Sequence, residues 1–121
     1  MKAIFFLSLM TLTSCSTQKQ REHDSLMALI ESRIELPQGA SPLNGYARYY
    51  SMDQQGMVVA IYTSLHDLPQ NKFYDLPIGR RRWVDDYRAL PLISEGGCGV
   101  IEITFDPRTQ KLDTPACNLR A

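Results

Sequence analysis

Apolar and polar residues alternate along the chain in a pattern that predicts one helix followed by strands. In residues 25–35, apolar side chains recur at Leu26, Ile30 and Ile34, the spacing of an amphipathic helix. Asp24 is a suitable N-cap for it, and a proline and a glycine follow its end. Because its polar face carries no row of lysines, we expect it to pack on a sheet rather than lie on a membrane surface.

Later segments have the composition of strands. The second of them is nearly apolar on both faces, as expected of a central strand covered by a helix. Gly56 lies in the turn between the first two strands, where a left-handed residue is needed. We expect an α+β fold with one N-terminal helix on a four- or five-stranded antiparallel sheet. The predicted strands are residues 45–51, 57–65, 80–84, 100–105 and a final strand from residue 112.

Length and charge restrict the class of protein. The chain has 121 residues, which suits one domain, and its 13 basic residues balance 13 acidic ones. A net charge of zero argues against nucleic-acid binding, because that requires a basic surface. The sequence has no uninterrupted apolar stretch of the roughly 18 residues that a transmembrane helix needs.

The first fifteen residues have the organisation of an export signal. Lys2 precedes an apolar stretch over residues 3–12, which is too short to span a bilayer and suits a secretory signal. The stretch ends in Leu12-Thr13-Ser14-Cys15. This motif resembles the lipobox of bacterial lipoprotein signal peptides. The resemblance implies transfer of diacylglycerol to the Cys15 thiol, cleavage before Cys15 and acylation, typically with palmitate, of the new amino terminus. The alternative is an ordinary secretory signal with a chance cysteine near its end.

The same resemblance implies a domain organisation and a location. Residues 1–14 are the cleaved signal peptide, residues 15–23 carry the lipid and a flexible tether, and residues 24–121 form a single α+β domain. Ser16 follows the acylated cysteine where an aspartate would retain an enterobacterial lipoprotein in the inner membrane. We therefore expect an anchor in the outer membrane, facing the periplasm. The body of the chain resembles small envelope lipoproteins of Gram-negative bacteria in class only.

The remaining cysteines, Cys98 and Cys117, suit a disulfide in an oxidising periplasm. The segment between them is predicted to form a hairpin, with a turn near Arg108 that an Asp-Pro pair opens. Such a turn brings the two cysteines together at the open end of the hairpin. A redox-active pair or a cysteine nucleophile is the alternative, but no Cys-x-x-Cys spacing supports it.

Arg80, Arg81, Arg82 and Trp83 form the most distinctive surface candidate. Consecutive arginines concentrate positive charge, and arginine beside tryptophan is typical of interface anchors and phosphate clamps. The alternative is a charged edge strand that blocks unwanted strand pairing. A second candidate binding face is the tyrosine-rich first strand, although core and cross-strand packing is the favoured explanation for it (Tyr46, Tyr49 and Tyr50).

Catalytic and metal-binding signals are weak. Ser64, His66 and Asp67 can be written as a triad, but triad members normally come from separate elements, whereas neighbours on one strand end point in different directions. His23 lies 43 residues before His66, and no carboxylates have ligand spacing. We therefore expect no catalytic residues, no metal and no cofactor.

Three functions remain open. The first is a non-enzymatic adaptor or accessory subunit, anchored in the membrane through Cys15, that binds another envelope component. The second is a binder of cell-wall or lipopolysaccharide anions through the three arginines. The third is a small periplasmic enzyme inhibitor or hydrolase, for which the sequence offers no paired nucleophile and base.

Overall fold

The computed structural model describes residues 15–64, 75–91, 93 and 96–118, which form one helix and a six-stranded sheet. Helix α1 spans Cys15–Arg33. The strands are β1 (Ala47–Met52), β2 (Val58–Thr63), β3 (Arg81–Trp83), β4 (Val100–Asp106), β5 (Lys111–Leu112) and β6 (Ala116–Cys117). Along the sheet the order is β3-β1-β2-β4-β5, and β6 also pairs with β4. The predicted α+β architecture is confirmed.

Alternation along the strands gives the sheet two apolar faces. On one face, Met27 and Ile30 of α1 pack on the largest core cluster, which includes Tyr50 and Tyr62. On the other face, Tyr49 and Ile61 pack against side chains from residues 76–93, so the sheet is also covered there by irregular chain. The nearly apolar composition of β2 follows from this double coverage.

The sheet is mixed, so the prediction of a purely antiparallel sheet was wrong. β3 runs parallel to β1, with Arg48 opposite Arg81 and Tyr50 opposite Trp83. Parallel neighbours need a crossover connection. Here the chain leaves β2 at Thr63 and returns at the far side of β1, where Leu76 packs on the face opposite the helix. All other strand pairs are antiparallel.

The sheet also has more strands than the four or five predicted, because the last predicted strand is divided. β5 and β6 each contain two residues and both pair with β4. Pro115 lies between them, and a proline has no backbone N–H to give to a ladder. The predicted turns are confirmed: Gly56 has φ of 79°, and the Arg108 N–H donates to Asp106 Oδ1 at 2.9 Å.

The helix starts ten residues earlier than predicted and ends at Arg33 rather than residue 35. It therefore includes residues 16–22, so the prediction of a flexible tether there was wrong. Residues 17–22 are exposed on this helix. They are polar, but Gln, Lys, Arg and Glu have high helix propensity, which explains a helix without an apolar stripe.

Candidate functional site

Cys15 is the first residue of α1, and the other three residues of the motif at positions 12–14 lie outside the described residues. Lipidation of Cys15 stays a prediction. Within the described ranges, the structure contains no helix that is both long and apolar enough to cross a membrane.

The predicted disulfide is present. Cys98 and Cys117 are bonded, and their Cα atoms are 4.4 Å apart. Cys117 lies opposite Ile101 of β4, so the bond joins the end of the sheet to the turn before β4. The hydroxyl of Tyr46 donates to the carbonyl of Cys98 at 2.7 Å and accepts from the N–H of Ser41 at 2.9 Å. These bonds hold the cysteine-containing turn against the start of β1.

The tyrosine-rich strand lies inside the protein, so the hypothesis of a tyrosine binding face was wrong. Tyr46, Tyr49 and Tyr50 each expose 1% of their surface or less. The hydroxyls of Tyr50 and Tyr62 are hydrogen-bonded to each other in the core. Burial raises the pKa of both tyrosines above the ordinary value near 10, because an ionised phenolate would lose its hydration.

The three consecutive arginines do not all lie on the same side of the sheet. In strand β3, Arg81 and Trp83 lie on the helix side of the sheet and Arg82 on the opposite side, since side chains alternate along a strand. Arg82 pairs with Asp75 at 2.7 Å, and this guanidinium holds the pKa of that carboxyl below its ordinary value. Arg80 is exposed and forms no ion pair with any residue that the structure describes.

Glu31 of α1 joins the helix to the two strands at the edge of the sheet. Its carboxylate contacts both Arg48 of β1, with Nε and Oε1 2.6 Å apart, and Arg81 of β3. The Arg48 contact is close but lacks hydrogen-bond alignment, while Arg48 Nη1 donates to the carbonyl of Leu43 at 2.8 Å. The side chains of Glu31 and Arg48 are only 10% and 8% exposed. One negative charge thus lies between two guanidiniums.

The sequence contains a signal for Glu31 that its interpretation missed. Met27, Ile30 and Ile34 form the apolar stripe of α1, and position 31 lies within that stripe because it follows Met27 by four residues. An acidic residue on a buried stripe indicates a cationic partner on the facing surface, since a buried charge is normally paired. The partners lie on strands remote in sequence, so their identity depends on the sheet order.

A groove of about 1010 Å³ lies between the first half of α1 and the edge strand β3. His23 and Trp83 both line it, and their rings are stacked with centroids 4.0 Å apart and planes inclined by 8°. The rim combines apolar, basic and acidic side chains, namely Lys19, Gln20, Asp24, Met27, Met52, Arg81, Arg82 and Asp85. The predicted cluster therefore contributes Arg81, Arg82 and Trp83 to one open groove, together with helix residues that sequence reasoning did not associate with it.

The structure adds no support for the triad and metal-site candidates from the sequence. His66 and Asp67 of the triad hypothesis lie outside the described residues, and Ser64 follows the end of β2. In the part of the chain that the structure describes, no group of three or more His, Cys, Asp or Glu side chains could hold a metal ion.

Comparison of the chain with protein-family models, curated proteins and solved structures gave no match.

Proposed function

We propose that the protein is a lipid-anchored, non-enzymatic lipoprotein of the bacterial envelope that acts as an adaptor or accessory subunit. The observation that carries the proposal is the Leu12-Thr13-Ser14-Cys15 motif directly after a short apolar stretch. In this proposal the acylated Cys15 anchors the domain in the outer membrane on its periplasmic side. The groove between α1 and β3 is the surface that binds another envelope component.

The geometry of α1 supports a binding role near the membrane. The helix begins at Cys15, and the groove begins at Lys19, four residues later. With a rise of 1.5 Å per residue, the groove starts about 6 Å along the helix from the lipidated residue. A partner that binds there would be held close to the headgroup region, as an accessory subunit of a membrane-bound complex requires.

The first experiment tests the anchor. Cells that express the full chain are grown with an alkynyl palmitate, and the label on the purified protein is compared between wild type and Cys15→Ala. We expect label and membrane fractionation for wild type, and loss of both for the variant. Label that remains on Cys15→Ala, or a wild-type protein that carries none, contradicts the proposed anchor.

The second experiment tests the binding surface. Envelopes are cross-linked, and proteins that copurify with the wild type are compared with those of the double variant Arg80→Glu/Arg82→Glu. Arg81 is left unchanged because its contact with Glu31 holds the helix. The control Arg88→Glu/Arg108→Glu makes the same charge change at arginines that are 73% and 71% exposed elsewhere. We expect a partner that the control retains and the test variant loses.

A binder of lipopolysaccharide or peptidoglycan anions is the second candidate, because Arg80 is exposed without an ion pair among the described residues. The same pair of double variants separates the two functions. Loss of binding to vesicles that contain lipopolysaccharide, specific to Arg80→Glu/Arg82→Glu and without any protein partner, would favour anion binding.

A further inference from the structure

We propose that the outer edge of β3 binds an extended, acidic segment of a partner protein as an additional strand of the sheet. This inference rests on the proposed adaptor function and names the chemistry of the partner. It depends on three observations: the direction of the backbone groups of β3, the groove beside them, and the charge around them.

The backbone of β3 presents free hydrogen-bonding groups to the groove. The N–H of Arg48 donates to the carbonyl of Arg80 at 2.9 Å, and the N–H of Val84 donates to the carbonyl of Tyr50 at 2.7 Å. In this parallel ladder the backbone groups of Arg82 face β1, so those of Arg81 and Trp83 face away from it. Within the described ranges no strand pairs with that edge. Two N–H donors and two carbonyl acceptors are therefore available to an added strand.

The groove has room for such a strand on the helix side of the edge. The helix residues Lys19, His23 and Asp24 line one wall, and β3 lines the other. Side chains of an added strand alternate between the two sides of the sheet, so every second one would enter the groove near the Trp83 ring. The added strand would lie beside the half-buried Trp83 ring, so it would make apolar contact with that ring in addition to its backbone hydrogen bonds with β3.

Charge selects an acidic occupant over a second copy of the chain. Around the edge, four basic side chains that reach the surface face three such carboxylates (Lys19, Arg80, Arg81 and Arg82; Asp24, Asp75 and Asp85), while Arg48 and Glu31 are largely buried and contact each other. A second copy paired antiparallel and centred on Arg82 would set that guanidinium opposite its counterpart, which is unfavourable. Glutamate or aspartate at the facing positions would instead pair with Arg80, which has no ion pair among the described residues, and would be attracted to the partly exposed Arg81 and Arg82. A basic strand would be repelled.

The test uses the mature lipoprotein in detergent micelles and a fluorescein-labelled peptide of seven residues that alternates valine and glutamate. Binding is measured by fluorescence anisotropy. We expect the peptide to bind and an otherwise identical valine–lysine peptide to bind at least about tenfold more weakly. Equal binding of the two peptides, or no binding of the acidic one up to about 1 mM, overturns the proposal.

Backbone methylation distinguishes strand addition from attraction between side chains. Two further peptides carry N-methyl groups on either all valines or all glutamates. Only alternate residues of an added strand give their N–H groups to β3, so one isomer should lose about tenfold or more in affinity and the other should keep it within about threefold. Equal loss, or no loss, in both isomers overturns the proposal.

A pair of protein variants makes the same distinction from the other side. Arg81→Ala removes the guanidinium, whereas Arg81→Pro also removes the outward N–H and leaves the β1–β3 ladder intact. We expect Arg81→Pro to bind the acidic peptide about tenfold more weakly than Arg81→Ala. Equal affinities contradict strand addition. One combined outcome separates the two proposals. If copurification of a partner from envelopes requires Arg80 and Arg82, but both N-methylated peptides bind equally, the adaptor function stands and strand addition fails.

Discussion

Neutralising Glu31 should destabilise the protein by about 3 kcal/mol, because its carboxylate is the one described counter-charge to the buried guanidinium of Arg48. A pair of charges about 4 Å apart attracts with roughly 4 kcal/mol at an effective dielectric constant of about 20. In Glu31→Gln part of this loss is offset. The protein no longer has to desolvate a carboxylate on folding, and Arg48 keeps its hydrogen bond to the carbonyl of Leu43. Arg81 adds less, since its side chain is 33% exposed.

The assay is urea unfolding followed by the fluorescence of Trp83, the single tryptophan, whose stacked position against His23 is lost on unfolding. The control Glu22→Gln removes the same charge at an exposed position of α1 and should change the free energy of unfolding by less than about 0.5 kcal/mol.

A double-mutant cycle isolates the contact itself. Glu31→Gln combined with Arg48→Met should cost at least about 1 kcal/mol less than the sum of the two single changes, since removal of both partners leaves no buried guanidinium without a counter-charge. A cost of Glu31→Gln below about 1 kcal/mol, together with additivity in the cycle, would refute this account of the helix–sheet contact.

Three further predictions concern other parts of the fold. The pKa values of Tyr50 and Tyr62 are raised in the folded protein, so above pH 10 these tyrosines ionise only in the unfolded protein. The free energy of unfolding should therefore be independent of these groups below pH 10 and fall as the pH rises above 10. Between pH 8 and 11, the variant with Phe at both positions should lose less of its free energy of unfolding than the wild type. Reduction of the Cys98–Cys117 bond should cost about 3 kcal/mol, visible as a lower urea midpoint, and an unchanged midpoint would contradict it. Gly56→Ala should cost about 1 kcal/mol, because φ is 79° there with no neighbour to clash, and Gly56→Asn should cost less in the same assay.

Local patterns were sufficient for the elements that depend on neighbours in sequence. The helix stripe, the hairpin of β1 and β2 and the disulfide could all be predicted, because turn chemistry and alternation specify them within about twenty residues. The start of the helix was missed because residues 16–22 have no apolar stripe. Helix propensity and continuity with the packed turns after Met27 outweigh the absence of burial there.

The candidate site depended on pairings that local patterns do not contain. Arg80, Arg81 and Arg82 were interpreted as one positive cluster, yet their faces follow from the parallel pairing of β3 with β1. That pairing joins two segments that are far apart in the sequence, so no local pattern specifies it. The stacking of His23 on Trp83 likewise depends on how α1 packs against β3, so the sequence contained the residues of the groove but not their juxtaposition.

The most direct test of the central claim, that an anchored protein binds a partner through the groove between α1 and β3, is site-specific photo-crosslinking in intact envelopes. A photo-crosslinking amino acid replaces Lys19, which lines the groove, or Arg80, which directly precedes β3, or the exposed Arg108 between β4 and β5 as a control. We predict that positions 19 and 80 crosslink to the same protein and that position 108 does not. No adduct from position 19 or position 80, or the same adducts from position 108, would contradict the claim.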